Sequence, residues 1–202
     1  MAARRIGILG GSFDPPHLAH LALGRCAMSS LALDELRWLP AGAPWQKAGQ
    51  VMASAQDRAA MLAALIKGEP RCVIDTRELG RSGPSFTIDS VRELQAETAD
   101  AEWFLILGQD QYARLDTWRD WPELLRRVTL AVAGRSGQAP MPPPALAGVP
   151  HHLLTLDMDP MPTAASDIRA RRAAGLPIAA LVGEGVARYI DRHGLYTQSI
   201  RS

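Results

Sequence analysis

Three features of this 202-residue chain predict an α/β fold built on an open, doubly wound parallel sheet. Short apolar runs of strand type alternate with amphipathic segments of helix type through the first two thirds, the pattern of successive βαβ units. The first run, Arg5-Ile6-Gly7-Ile8-Leu9, passes straight into Gly10-Gly11-Ser12-Phe13-Asp14-Pro15-Pro16-His17, a glycine turn feeding a helix start. Each further stretch that carries chemistry also follows a predicted strand, and ligands of such sheets sit past the carboxyl ends of the strands.

Taken in order, strands are predicted near 5–9, 36–39, 71–75, 103–107, 128–133 and 152–156. Asp14 can cap and Pro15 open the first helix, because proline at the first helical position lacks only an N–H that would be unpaired anyway. That helix is predicted from Pro16 to about Leu31, with His17 and His20 in its first turns on one face. Ser54-Ala55-Gln56-Asp57 is a capping-box start for a helix through Ile66. Ile88, Val91 and Leu94 repeat at helical spacing behind Thr87 and predict a helix over 87–98. A further helix runs from Asp110 to Arg126, broken or restarted at Pro122. The five prolines between Pro140 and Pro150 rule out one regular element over 136–150 and predict a mobile surface connection. Beyond the last strand come a helix over 164–174, a turn at Gly175-Leu176-Pro177 and a final helix over 183–193.

The length fits a single domain spanning 1–202, in which 160–202 forms a small C-terminal helical subregion. A formal net charge of +1 without a dense basic run excludes a nucleic-acid face and points to a small anion held locally. Cys26 and Cys72 lie in apolar segments without metal-type spacing and read as reduced core residues. No apolar stretch is long enough for a signal peptide or a membrane helix, so no membrane partner is predicted and a soluble, cytoplasmic protein is expected. The oligomeric state is not set by these features, and a homo-oligomer is compatible with them.

The chemistry concentrates at the glycine turn. A helix N-terminus offers free N–H groups and the positive end of its dipole, so anions belong there, and two histidines in its first turns add further donors. The spacing of Gly7, Gly10 and Gly11 does not make a Gly-x-Gly-x-x-Gly fingerprint, and no Gly-Lys-[Ser/Thr] occurs for a P-loop.

Residues 10–20 resemble the Gly-[Ser/Thr]-Phe-Asp-Pro-x-His-x-Gly-His signature of the nucleotidyltransferases that share a Rossmann-like fold, with Ala19 where the family has glycine. The resemblance widens over nearly the whole chain to the bacterial nicotinate-nucleotide adenylyltransferases, which join nicotinate mononucleotide to the AMP part of ATP. It is carried by Pro40 through Lys47, Arg58 with Met61-Leu62, Ser85-Phe86-Thr87, Gly108-Gln109-Asp110, Thr117-Trp118, Arg135, Ser166 with Ile168-Arg169, Tyr189-Ile190 and Gly194-Leu195-Tyr196. Departures include Trp45-Gln46 before Lys47, Ala164 in place of a hydroxyl residue, Ser166 in place of threonine, and Gly183 where proline is frequent.

The resemblance implies adenylyl transfer without a covalent enzyme intermediate, with His17, His20, Ser166 and Arg169 as the catalytic, phosphate-neutralising set. ATP is expected on Gly10, Gly11, Ser12, Phe13, His17, His20, Gly108, Asp110, Ser166, Ile168 and Arg169. The mononucleotide is expected on Ser12, Lys47, Ser85, Phe86, Thr87, Asp110, Trp118 and Arg135, with Trp118 stacking on the pyridine ring and Ser85 to Thr87 receiving the carboxylate. Mg²⁺ is expected to arrive with ATP, bound mainly through phosphates and water, and no protein ligand set is named. Sister enzymes acting on nicotinamide mononucleotide or phosphopantetheine, and a non-catalytic nucleotide-binding protein of the same fold, are the alternatives.

Overall fold

The computed structural model describes residues 3–43, 52–134, 139–159 and 161–197; Lys47 and Arg135 lie outside them. Six parallel strands form one sheet: β1 Arg4–Gly11, β2 Glu35–Pro40, β3 Cys72–Ile74, β4 Ala101–Leu107, β5 Thr129–Gly134 and β6 Leu153–Asp157. Their spatial order is β3-β2-β1-β4-β5-β6, so strand order reverses between β1 and β4. All six predicted strands are present. β1 runs two residues past its predicted end because Gly10 and Gly11 stay in register with Leu39 and Pro40 of β2.

Alternation along the strands builds both layers. Ile6 and Ile8 of β1 and Trp103, Leu105 and Leu107 of β4 face one layer with Ile88, Val91 and Leu94 of helix α3 (Thr87–Glu97). Short α4 (Gln109–Tyr112) and α5 (Trp121–Arg127) complete that side. Leu9, Phe104 and Ile106 face the opposite layer, made by α1 (Leu18–Ser30) and α2 (Ala55–Leu65) with α6 (Ala165–Ala173), α7 (Ala179–Val182) and α8 (Glu184–Arg192). The central strands β1, β4 and β5 are apolar on both faces, as a sheet covered on both sides requires.

The start of the first helix needs correction, and two later stretches carry more detail than predicted. α1 begins at Leu18, with His17 as its N-cap. Pro16 disfavours helical angles at Pro15, so the helix cannot start there. The predicted restart at Pro122 is present, and the break before it is longer than a single kink: α4 ends at Tyr112, a 3₁₀ turn occupies Leu115–Thr117, and Asp120 at φ +49 leads into α5 with Pro122 in its first turn. The turn after α6 is followed by the short α7, which no periodicity announced. Gly183, between α7 and α8, has φ +81, a region closed to proline, so the family's frequent proline does not fit this backbone.

The proline-rich connection is anchored where it is described. The Gln109 side chain accepts from the Met141 N–H (3.2 Å) and donates to its carbonyl (3.0 Å). Leu146 is buried, and His151 Nδ1 donates to Val149 O (2.7 Å), which leaves Nε2 to accept from the buried Tyr112 hydroxyl at 3.0 Å. Residues 139–151 therefore lie docked on α4 rather than loose over the surface.

Candidate active site

The reversal of strand order opens a crevice between the ends of β1 and β4, where ligands of this sheet type bind. On one wall is the turn from Ser12 to His17. Phe13 sits there at φ +48, a left-handed conformation unusual for a bulky side chain, with its buried ring edge-on to His20 at 5.1 Å and tilted against Trp38 at 5.8 Å. A guanidinium fixes the turn from beneath. Arg58, almost fully buried, donates to Ser12 O (2.7 Å), Ala41 O (2.6 Å), Gly42 O (3.0 Å) and Ala53 O (3.2 Å). One side chain thereby ties the ends of β1 and β2 to the start of α2.

At the start of α1, the rings of His17 and His20 stack with centroids 3.7 Å apart. The His17 N–H donates to His20 Nδ1 at 3.2 Å, so the neutral tautomer of His20 carries its proton on Nε2. Burial pushes the His17 imidazole down to about 4, and its Nδ1 has no hydrogen-bond partner among the described residues. Desolvation favours the neutral ring, which has an N–H to donate.

α6 brings the C-terminal candidates to the same turn. Its N-cap is Ala164, so its first N–H groups receive no side-chain cap, and Ser166 is exposed with its hydroxyl 3.3 Å from Asp167 Oδ1. Arg169, one helical turn on from Ala165, donates from Nη1 to the main-chain oxygen of Asp14 at 2.6 Å. Ile168 faces the other way and is fully buried in the core, so only its main chain is available to a ligand.

The far wall carries the candidates for the second substrate. Gly108 caps α4, and Asp110 lies exposed in its first turn. Phe86, not Ser85, is the N-cap of α3; it has no capping group, and the first turn begins uncapped at Thr87. Ser85 is buried and joins the end of the β2 loop through its N–H to Ala43 O (3.1 Å). Trp118 is not on a helix: it follows the 3₁₀ turn in extended conformation and lies half-buried against the α3 layer. Its neighbour Arg119 stacks over the Phe86 ring at 4.8 Å, which joins this segment to the start of α3.

The residues that sequence reasoning named without a role, or missed, are the ones that hold these pieces together. Arg58 stands in an otherwise apolar i, i+3, i+4, i+7 stripe with Met61, Leu62 and Leu65, and a cation in such a stripe is the signal that could have exposed its buried role. Asp14 is buried and bonded by Tyr196 from the far end of the chain, for which no local signal exists. No group of three or more His, Cys, Asp or Glu side chains is arranged for a metal ion among the described residues, and no helix there is long and apolar enough to cross a membrane.

Comparison with known proteins agrees with this arrangement. The Cytidylyltransferase-like family matches residues 8–171. A protein of Methylibium petroleiphilum named "Probable nicotinate-nucleotide adenylyltransferase" is 53% identical over 197 residues, covering 96% of this chain and 92% of the relative. One of the same name from Bordetella petrii is 49% identical, covering 96% and 99%. Among solved structures, Plasmodium falciparum nicotinic acid mononucleotide adenylyltransferase complexed with NaAD superposes with a TM-score of 0.79 over 98% of this chain and all of that one. At 15% identity that likeness is one of fold. With its sheet order, its stacked histidines at the β1 turn and close relatives along nearly its whole length, the chain belongs to the nicotinate-nucleotide adenylyltransferases of the cytidylyltransferase-like family.

Proposed function

We propose that the protein transfers the adenylyl group of ATP to nicotinate mononucleotide, giving nicotinate adenine dinucleotide and pyrophosphate. One observation carries this reading most: Arg169, far away in sequence, is seated on the Asp14 main chain beside the stacked His17 and His20. Three donors of phosphate type thus meet at two helix starts.

The nucleophile is a phosphate oxygen of the mononucleotide, already ionised, so no general base is needed. It attacks the α-phosphorus in line, the bond to the bridging oxygen breaks, and pyrophosphate leaves with that electron pair. The protein's work is to bring two anions together and to neutralise charge as it shifts to the leaving group. His20 Nε2–H and the neutral His17 ring donate to phosphate oxygens, Arg169 takes the β- and γ-phosphates with its planar fork, and the uncapped start of α6 with Ser166 adds N–H and O–H donors. Lys47 and Arg135 add positive charge in the same reading. Gly10, Gly11, Ser12, Phe13, Gly108 and Asp110 border the nucleotide, Asp110 toward its ribose hydroxyls. Mg²⁺ fits as an ion carried on the triphosphate with water completing its shell: Asp14 is engaged by its own donors, and exposed Asp110 is the carboxylate free to meet that shell. The ion supplies charge neutralisation on the phosphates.

On the opposite wall, the uncapped start of α3 at Phe86 and Thr87 receives the nicotinate carboxylate, and Trp118 lies against the pyridine ring. A site built of donors selects an acid over an amide, which brings donors of its own. The shared sheet supports reading 1–202 as one domain with 160–202 as its helical C-terminal part, and free Cys26 and Cys72 support a cytoplasmic setting. Steady-state kinetics of Trp118→Ala test the pyridine assignment. The KM for the mononucleotide is expected to rise about tenfold, in line with a lost aromatic stack, while that for ATP stays within about twofold. Equal rises for both substrates would make Trp118 a packing residue only.

A further inference from the structure

Asp14 is a buried carboxylate inside what is read here as a phosphate site, and its two oxygens are treated differently. Oδ1 accepts from the Tyr196 hydroxyl (2.6 Å) and the Ala53 N–H (3.2 Å). Oδ2 faces Arg169 Nη1 at 3.8 Å, outside hydrogen-bond reach, while that same Nη1 donates to the Asp14 main-chain oxygen at 2.6 Å. Arg169 is therefore held by the backbone of the turn and stands off its nearest countercharge. Arg58, the buried cation beneath the turn, has four carbonyls as its acceptors and does not take over the carboxylate.

Tyr196 reaches this position through the turn that ends α8. Gly194 adopts φ +59, and the Leu195 N–H bonds back to Ile190 O at 3.0 Å, the closure that glycine permits after a helix. Tyr196 itself is held at φ +58, a conformation a non-glycine residue keeps only when its surroundings fix it. Burial and the Asp14 carboxylate push loss of the hydroxyl proton well above the ordinary tyrosine range, so the group stays a donor. The Gly194-Leu195-Tyr196 motif, which the reaction itself leaves without a task, thus delivers one hydroxyl to one carboxylate oxygen.

We infer that Tyr196 is a positioning residue for Arg169, acting through Asp14. By occupying Oδ1 it keeps the carboxylate satisfied, so Arg169 stays on the main-chain oxygen with its remaining N–H groups available to the triphosphate. Without the hydroxyl, the under-bonded carboxylate becomes the strongest acceptor near Nη1. The guanidinium then closes the 3.8 Å gap into an ion pair and is withdrawn from ATP. The inference rests on the phosphate role proposed for Arg169.

A double-mutant cycle of Tyr196→Phe and Arg169→Ala tests it, with KM for Mg-ATP, KM for the mononucleotide, kcat and thermal midpoint read for each protein. Tyr196→Phe keeps the ring and is expected to raise KM for Mg-ATP about tenfold, with kcat and the other KM within about twofold. Arg169→Ala is expected to raise KM for Mg-ATP at least as much, and adding Tyr196→Phe to it should change that value by less than about twofold. An unchanged KM in Tyr196→Phe, or the same rise with and without Arg169, would overturn the inference while leaving the Arg169 reading in place. An unchanged KM in Arg169→Ala would overturn that reading and this inference with it.

Discussion

His20→Ala is expected to lower kcat by about 10²- to 10³-fold, the effect of removing one preorganised donor from developing charge. The protein should stay folded and still bind ATP, because the Arg58 bond to Ser12 and the packing of Phe13 on Trp38 still hold the turn when His20 is lost. The histidine is placed for the task by its bond from the His17 N–H, which puts the ring proton on Nε2, and by its stacking on a neighbour that burial keeps neutral. The two rings stack 3.7 Å apart, with His17 kept neutral by burial beside the His20 donor. Rapid-quench measurement of dinucleotide formation, with ATP affinity read separately by titration, checks both halves. A rate near that of the unmodified protein would remove His20 from the chemistry.

The largest effect on stability is expected from Arg58→Ala. Removing the guanidinium leaves carbonyls of Ser12, Ala41, Gly42 and Ala53 without their donor in a buried position. Unpaired buried acceptors cost about 1–3 kcal/mol each, partly relieved where water enters the space, so a net loss of about 4 kcal/mol is reasonable. For a chain of this length that corresponds to a fall in Tm of about 10 °C. Arg58→Lys should recover little of it, because an ammonium group cannot span four acceptors that a planar fork joins. Thermal unfolding followed by circular dichroism reads the difference. A Tm within about 2 °C of the unmodified protein would show that the clamp contributes little.

Much of this architecture was legible from local pattern. The strands could be found because a parallel sheet buried on both faces needs continuous apolar runs, as at Trp103 to Leu107. α2 and α3 could be found because their buried stripes repeat at helical spacing, and α2 carries Ser54 bonded to the Asp57 N–H at 3.0 Å. The start of α1 was misplaced because a single proline favours the first helical turn, whereas Pro15 before Pro16 does not. Pro122 marked the restart at α5, whereas the left-handed Asp120 at φ +49 that precedes it is an angle no composition announces. In the site, the residues that touch phosphate in this reading are written in a short motif, but those that hold them are not. Asp14 and Tyr196 lie 182 positions apart, and their 2.6 Å contact exists only once the last helix has packed against α2.

The measurement closest to the central claim is pyrophosphate release from Mg-ATP with nicotinate mononucleotide, nicotinamide mononucleotide and phosphopantetheine offered in parallel. Selective turnover of the nicotinate form is the predicted result and would bear out the carboxylate reading of the α3 start at Phe86 and Thr87. Preference for either other acceptor would contradict the substrate assignment, and absence of pyrophosphate with all three would contradict catalysis itself.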